Sequence, residues 1–194
     1  MISRLVLATS NQGKIAELAQ LLDRFCQVEG RPQGLAETVE DGETLEANAL
    51  KKATEVANHT REVALADDTG LFVDCLDGRP GVYSARFAGP DADDDDNVSK
   101  LLAEMGSTSN RSARFRTVIA VVWPDGAHLM VEGSVEGQIG FRRQGQSGFG
   151  YDPIFFPVEG DGRAFAEMTR AEKNEISHRG RAMSALLAKL EAMG

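Results

Sequence analysis

Apolar residues along the chain fall into two kinds of pattern, short continuous runs and stripes at helical spacing. Leu5-Val6-Leu7-Ala8-Thr9 is a continuous run and predicts a buried strand. Ser10-Asn11-Gln12-Gly13 then reads as a turn, and from about Lys14 the positions Ile15, Leu18, Ala19, Leu22 and Phe25 recur at helical spacing. Residues 27–43 are polar, carry Gly and Pro, and predict a loop. A second helix is predicted from about Leu45 to Asn58, with Leu45, Ala49, Leu50, Ala53, Val56 and Ala57 as its apolar stripe. Val63-Ala64-Leu65-Ala66 predicts a second short buried strand that stops at Asp67-Asp68-Thr69-Gly70.

The later part of the chain changes character. Asp91 to Asp96 is an acidic run ahead of Val98, Leu101, Leu102 and Met105, which suits a helix start because carboxylates complement the helix dipole there. Contiguous side chains point in different directions, so that run reads as helix chemistry and not as a metal site. Phe115 to Trp123 is rich in β-branched residues, and Pro124-Asp125-Gly126 turns it back into His128 to Val135 as a hairpin. A Gly-rich loop, Gly145 to Pro153, leads to an Ile154-Phe155-Phe156 strand. Thr169 and Glu172 fit a capping box, and Ser177 caps a last helix striped by Met183, Leu186, Leu187 and Leu190. Early alternation of strand and helix followed by a hairpin predicts an α/β protein with a mixed sheet flanked by helices. No internal repeat and no flexible linker interrupts it.

Composition narrows the class. The 194 residues, 42% hydrophobic and 26% charged, suffice for one buried core or two lobes sharing a cleft. No apolar run approaches the roughly 20 residues that span a bilayer, and the N-terminal residues lack the pattern of a signal peptide, so a cytoplasmic protein without membrane association is expected. The two cysteines, Cys26 and Cys75, have no metal-ligand or redox spacing, and the three histidines are scattered. A net charge of −9 disfavours nucleic acid as a partner, while leaving room for a small anion if cations and a metal reverse the field locally.

Four segments carry candidate chemistry. Asp67 and Asp68 are adjacent carboxylates after a buried strand; Asp-Asp-Thr-Gly is equally good turn chemistry, and composition alone does not separate the two readings. In an extended chain neighbours face opposite ways, so one carboxylate would face a site and the other would be held by structure. Thr9-Ser10-Asn11-Gln12-Gly13-Lys14 has the logic of a phosphate-binding turn, although it lacks the P-loop pattern, and in isolation it is more simply a helix cap. Phe149 and Tyr151 in the Gly-rich loop could stack on a planar base, or the loop is merely a connection. Lys173, His178 and Arg179 add cations near the last helix, where solvated surface charge is the plain alternative.

Taken in order, five segments resemble the inosine triphosphate pyrophosphatase family, whose bacterial members act on dITP and XTP. They are Thr9 to Lys14, Ala66-Asp67-Asp68-Thr69-Gly70-Leu71, Pro80-Gly81-Val82-Tyr83-Ser84-Ala85-Arg86, Ser147-Gly148-Phe149-Gly150-Tyr151-Asp152-Pro153, and Ser177-His178-Arg179. The resemblance runs essentially end to end. It departs at Leu45 and Ala47, where members often carry Phe and Glu. It implies one domain over residues 1–194, an elongated two-lobed fold around an active-site cleft, and a homodimer. It implies Mg²⁺-dependent hydrolysis of ITP, XTP or dITP to the monophosphate and pyrophosphate, which keeps such nucleotides out of DNA and RNA. Asp68 would be the proton acceptor and, with Glu40, a Mg²⁺ ligand. Thr9, Ser10, Asn11, Gln12, Gly13 and Lys14 would cradle phosphates with Lys52 as a helper. Thr69 would lie beside the base, Phe149, Gly150, Tyr151 and Asp152 would enclose the purine, and Lys173, His178 and Arg179 would complete the pocket. The sequence also leaves open two other readings: a pyrophosphatase for modified pyrimidine or other nucleotides, and a non-catalytic nucleotide sensor.

Overall fold

The computed structural model describes residue 2 and residues 4–22 and 25–193. Strand β1 (Arg4–Leu7) leads through the polar turn into helix α1 (Gln12–Leu22), which starts two residues earlier than the apolar spacing indicates. Asn11 explains the early start: its side-chain oxygen accepts from the backbone N–H of Lys14 at 3.0 Å, so the turn itself caps the helix. Phe25 lies beyond the helix and is exposed, so it does not belong to the apolar stripe; residues 23 and 24, over which that stripe was extended, lie outside the described residues.

The segment read as a loop contains β2 (Gln27–Glu29), paired parallel to β1 with Leu5 opposite Val28. Helix α2 (Leu45–Thr60) starts at Thr44, whose hydroxyl accepts from Ala47 N–H at 3.1 Å. The strand expected to stop at Asp67 does not stop. It runs from Ala64 to Val73 as β3, straight through Asp67-Asp68-Thr69-Gly70. Pairing overrides the turn composition: Leu65 lies parallel to Leu7 of β1, and Leu71 and Phe72 lie antiparallel to Gly81 and Pro80 of β4 (Pro80–Gly81).

Helix α3 (Asp94–Met105) places the acidic run at its start as expected, with Asp93 and Asp96 forming a capping box. Strands β5 (Ser112–Val122) and β6 (His128–Ile139) form the hairpin, closed by Gly126 N–H to the Trp123 carbonyl. Residues Asp152–Ile154 make a single helical turn, and β7 (Phe155–Pro157) follows it, antiparallel to β6. Helices α4 (Arg170–Ile176) and α5 (His178–Met193) end the chain, with Ser177 between them accepting from Gly180 N–H at 3.1 Å. The seven-stranded sheet has the order β2-β1-β3-β5-β6-β7 with β4 beside β3, so parallel and antiparallel pairs mix as expected of the α/β class.

The chain divides into two compact units. The first holds residues 1–68, 117–133 and 182–194; the second holds residues 69–116 and 134–181. Each has its own core. In the first, Leu5, Leu7, Leu18, Leu65, Ile119 and Met183 pack together. In the second, Leu71, Leu101, Phe115, Ile154, Phe155 and Phe165 do so. Among the described residues no helix is long and apolar enough to cross a membrane.

Candidate active site

Because β3 continues through the aspartates, successive side chains turn to different helices. Asp67 meets Lys14 of α1 at 3.1 Å, and Asp68 meets Lys52 of α2 at 2.8 Å. Both carboxylates are buried. Such burial is tolerable only with paired charge and hydrogen bonds, and the helices supply both. Lys52 Nζ donates to Asp68 Oδ1 at 2.8 Å, to Glu40 Oε1 at 2.7 Å and to the Asp67 carbonyl at 2.7 Å. Those three oxygens account for the three N–H donors of an ammonium group.

Asn48 completes this cluster and was missed by sequence reasoning. It is fully buried; its Nδ2 donates to Asp68 Oδ2 at 3.2 Å, and its Oδ1 accepts from Gly42 N–H at 2.8 Å. One side chain thereby ties the segment carrying Glu40 to the strand carrying Asp68. A Cβ on Gly42 would stand 2.5 Å from Asn48 Oδ1, so the close approach requires glycine there. The signal was present: Asn48 and Lys52 are polar, four residues apart, and on the same side of α2 as Leu45 and Ala49.

The electrostatics follow from burial. Desolvation pushes the Asp68 carboxyl up from its ordinary value and Glu40 adds to the rise, against the opposing pull of Lys52 and Lys14. For Lys52, burial alone would lower the ammonium, but Asp68, Glu40 and Asp67 together outweigh it and hold the group up, so it stays charged.

The turn ahead of α1 is arranged by its own side chains. Thr9 Oγ1 accepts from Asn11 N–H at 3.2 Å, Gln12 Nε2 donates to the Ser10 carbonyl at 3.3 Å, and Ser10 donates to Glu37. The first unit thus brings together Lys14, Glu40, Lys52 and Asp68, with Thr9 to Gly13 beside Lys14 in the chain.

Glu40 Oε1 and Asp68 Oδ1 converge on one cationic atom, and both are hard oxygen donors. Mg²⁺ suits such a set, since it is usually held by one or two carboxylates together with substrate phosphates and water. Among the described residues no group of three or more His, Cys, Asp or Glu side chains is placed to hold a metal. A metal here would therefore rest on these two carboxylates.

The second unit gathers the other candidates. Asp152 is buried and its Oδ2 accepts from Lys173 Nζ at 2.7 Å and from Phe149 N–H at 3.0 Å. Gly148 has φ +80° and a Cβ there would collide with Asp152 Oδ2, so the Gly-rich loop needs that glycine both for its turn and for the approach of the carboxylate. Gly150 N–H donates to Asp94 Oδ2 at 2.6 Å. The half-buried Phe149 ring is flanked by two cations, Lys173 Nζ at 4.8 Å and Arg179 Cζ at 5.6 Å from its centroid. Arg179 Nη2 also donates to Thr69 Oγ1 at 3.3 Å. His178 is buried and stacks on Phe115, with ring centroids 4.6 Å apart. Tyr151 sits in the core; its hydroxyl donates to the Ser84 carbonyl at 2.8 Å. Lys173, His178 and Arg179 are therefore built-in groups held by Asp152, Phe115 and Thr69, and not solvated surface charge.

Comparison with known proteins gives a consistent picture. The sequence profile described as the Ham1 family matches residues 5–189. A dITP/XTP pyrophosphatase of Desulforamulus reducens is 50% identical over 186 residues, covering 93% of this chain and 92% of that protein. One of Geobacter sulfurreducens is 47% identical over 191 residues, covering 95% of each. Among solved structures, the Ham1 protein of Staphylococcus aureus superposes with a TM-score of 0.87 at 37% identity, over 99% of this chain and 100% of that one. The HAM1 protein of Coxiella burnetii gives 0.88 at 38% identity, over 98% and 100%.

Proposed function

The chain belongs to the Ham1 family, and from that premise we propose that it is a Mg²⁺-dependent nucleoside triphosphate pyrophosphatase acting on dITP, ITP and XTP. The observation that carries the reading is the buried Asp68, held by Lys52 and Asn48 beside Glu40, in a chain half identical to a dITP/XTP pyrophosphatase. Water attacks the α-phosphorus, the bond to the bridging oxygen between the α and β phosphates breaks, and the monophosphate and pyrophosphate leave.

Asp68 accepts the proton that the water loses. Its raised carboxyl favours that role, because a base is most effective when its pKa approaches the working pH. Glu40 and Asp68 would hold Mg²⁺, which supplies charge neutralisation at the phosphates and a polarised water. The remaining roles divide between the two units. In the first, Thr9 to Gly13 present polar groups and the start of α1 to phosphate, and Lys14, held in place by Asp67, supplies a cation. In the second, Phe149 offers a face to the purine, Gly150 and Tyr151 shape the loop, and Asp152 fixes Lys173. His178, Arg179 and Thr69 supply hydrogen-bonding groups. Donors aimed at a 6-oxo group would reject adenine, whose 6-amino group would leave two donors facing each other. A homodimer is the assembly we assign, on the family resemblance.

The test is direct. The protein is incubated with dITP, ITP, XTP, dTTP, UTP, ATP and GTP in Mg²⁺, and products are separated by ion exchange. Pyrophosphate and monophosphate from dITP, ITP and XTP, with little turnover of the others, is the expected outcome, and chelation of Mg²⁺ should abolish it. Release of orthophosphate would overturn the reaction, and a preference for dTTP or UTP would overturn the substrate class.

A further inference from the structure

We propose that Lys52 is a tethered cation that, in the nucleotide-free protein, occupies the oxygens of Glu40 and Asp68 that Mg²⁺ takes over when the nucleotide arrives. This rests on the pyrophosphatase reading above and adds a positioning role for Lys52 to it.

The geometry carries the argument. The Lys52 ammonium is buried, and its three nearest oxygens are Glu40 Oε1 at 2.7 Å, Asp68 Oδ1 at 2.8 Å and the Asp67 carbonyl at 2.7 Å. Three donors meet three acceptors, so the group is saturated where it lies. The two carboxylate oxygens it engages are the same pair that a metal would need. Mg²⁺ demands its oxygens at about 2.0–2.1 Å in a near-octahedral arrangement. A monovalent and a divalent cation cannot both use the inner side of that pair, and their mutual repulsion in a buried site is weakly screened.

The charges explain what releases Lys52. Glu40, Asp67 and Asp68 face Lys14 and Lys52, three negative charges against two positive. Without a metal, the ammonium keeps the two carboxylates from repelling each other and holds them at a common centre. A triphosphate brings several negative oxygens together with its own Mg²⁺. It offers the ammonium new partners while the metal replaces it on the carboxylates. Lys52 carries its charge on a flexible four-carbon stem, which permits such a transfer without movement of α2. Metal binding then becomes conditional on nucleotide.

The test uses the full chain and Mn²⁺ as a spectroscopic substitute for Mg²⁺, read by the electron paramagnetic resonance of free Mn²⁺ in the absence of nucleotide. Wild type should bind weakly. Lys52→Gln removes the charge and should bind about tenfold tighter or more, because a repelling cation has been taken away, and Lys52→Arg should stay as weak as wild type. Lys52→Gln should also melt below wild type without metal and regain stability with Mn²⁺. A folded Lys52→Gln that binds Mn²⁺ no tighter than wild type overturns the proposal. If that variant does not fold, wild type alone decides. Its melting temperature should ignore millimolar Mg²⁺ when nucleotide is absent, and a clear rise with Mg²⁺ alone overturns the proposal. None of these readouts needs turnover. Hydrolysis of dITP by wild type beside unchanged Mn²⁺ affinity in Lys52→Gln would sink the placeholder and leave the function standing, and the reverse pair of results would sink the function alone.

Discussion

Asn48 shows what a single buried side chain can decide. Its Nδ2 and Oδ1 reach Asp68 and Gly42 N–H respectively. Asn48→Asp keeps the acceptor for Gly42 and converts the donor toward Asp68 into a second acceptor of like charge. The expected result is a kcat reduced by about 10²-fold, the scale of a misplaced reacting group, with a KM for dITP that changes little. Steady-state kinetics beside a melting curve would separate this from a loss of fold. Asp68→Asn should cost about 10²–10⁴-fold in turnover through loss of the base while leaving nucleotide binding measurable by calorimetry; full activity in that variant would remove Asp68 from its role. At this scale the sequence was informative about residue types and silent about partners. The alternation of an extended chain separated Asp67 from Asp68 in the sequence, but only the fold shows that one meets Lys14 and the other Lys52. Asn48 falls on the apolar face of α2 with Leu45 and Ala49, but an amide in that position does not tell which carboxylate or backbone group it meets.

Among the elements, the helices were legible and the strands less so. Helices α2 and α5 follow from apolar stripes at helical spacing, and α4 from its capping box. Strand β2 has only three residues, too few for a pattern to stand out, and β3 passes through a segment with good turn chemistry; β2 owes its state to pairing with β1, and β3 to pairing with β1 before that segment and with β4 after it. The capping box of α4 makes a testable element. Thr169 Oγ1 accepts from Glu172 N–H at 3.3 Å, and Glu172 Oε2 accepts from Thr169 N–H at 2.7 Å. Thr169→Ala should lower stability by about 1 kcal/mol in urea unfolding. Glu172 is held down to about 2, first by the hydrogen bond from Arg163 and then by Thr169. Its folded value lies below its ordinary 4.5, so its stabilising contribution is complete above that pH and fades as pH falls toward 2. The difference in melting temperature between wild type and Glu172→Gln should therefore shrink over that acid window. A difference that persists at its lower end would show that the carboxylate's charge is not what stabilises the start of α4.

The whole molecule was legible where motifs occurred in order and illegible where units had to be drawn. Five segments spread from Thr9 to Arg179 pointed to one family, whereas no composition shift marks the two compact units, because neither is a contiguous stretch of chain. The chain passes from one unit to the other between Asp68 and Thr69 in β3, Arg116 and Thr117 in β5, Gly133 and Ser134 in β6, and Arg181 and Ala182 in α5. Every passage falls inside a regular element, and none in a linker. Loss of either unit would fray strands that the other needs for its own core, including the strand that carries Asp68. Unfolding should therefore be a single cooperative transition. The aromatic residues allow the test without mutation: the one tryptophan, Trp123, belongs to the first unit, and both tyrosines, Tyr83 and Tyr151, belong to the second. Urea curves from tryptophan fluorescence and from tyrosine near-ultraviolet dichroism should share one midpoint and one slope. Separate midpoints would show that the units unfold independently, and the strand carrying Asp68 would then be able to fray while the other unit stays folded.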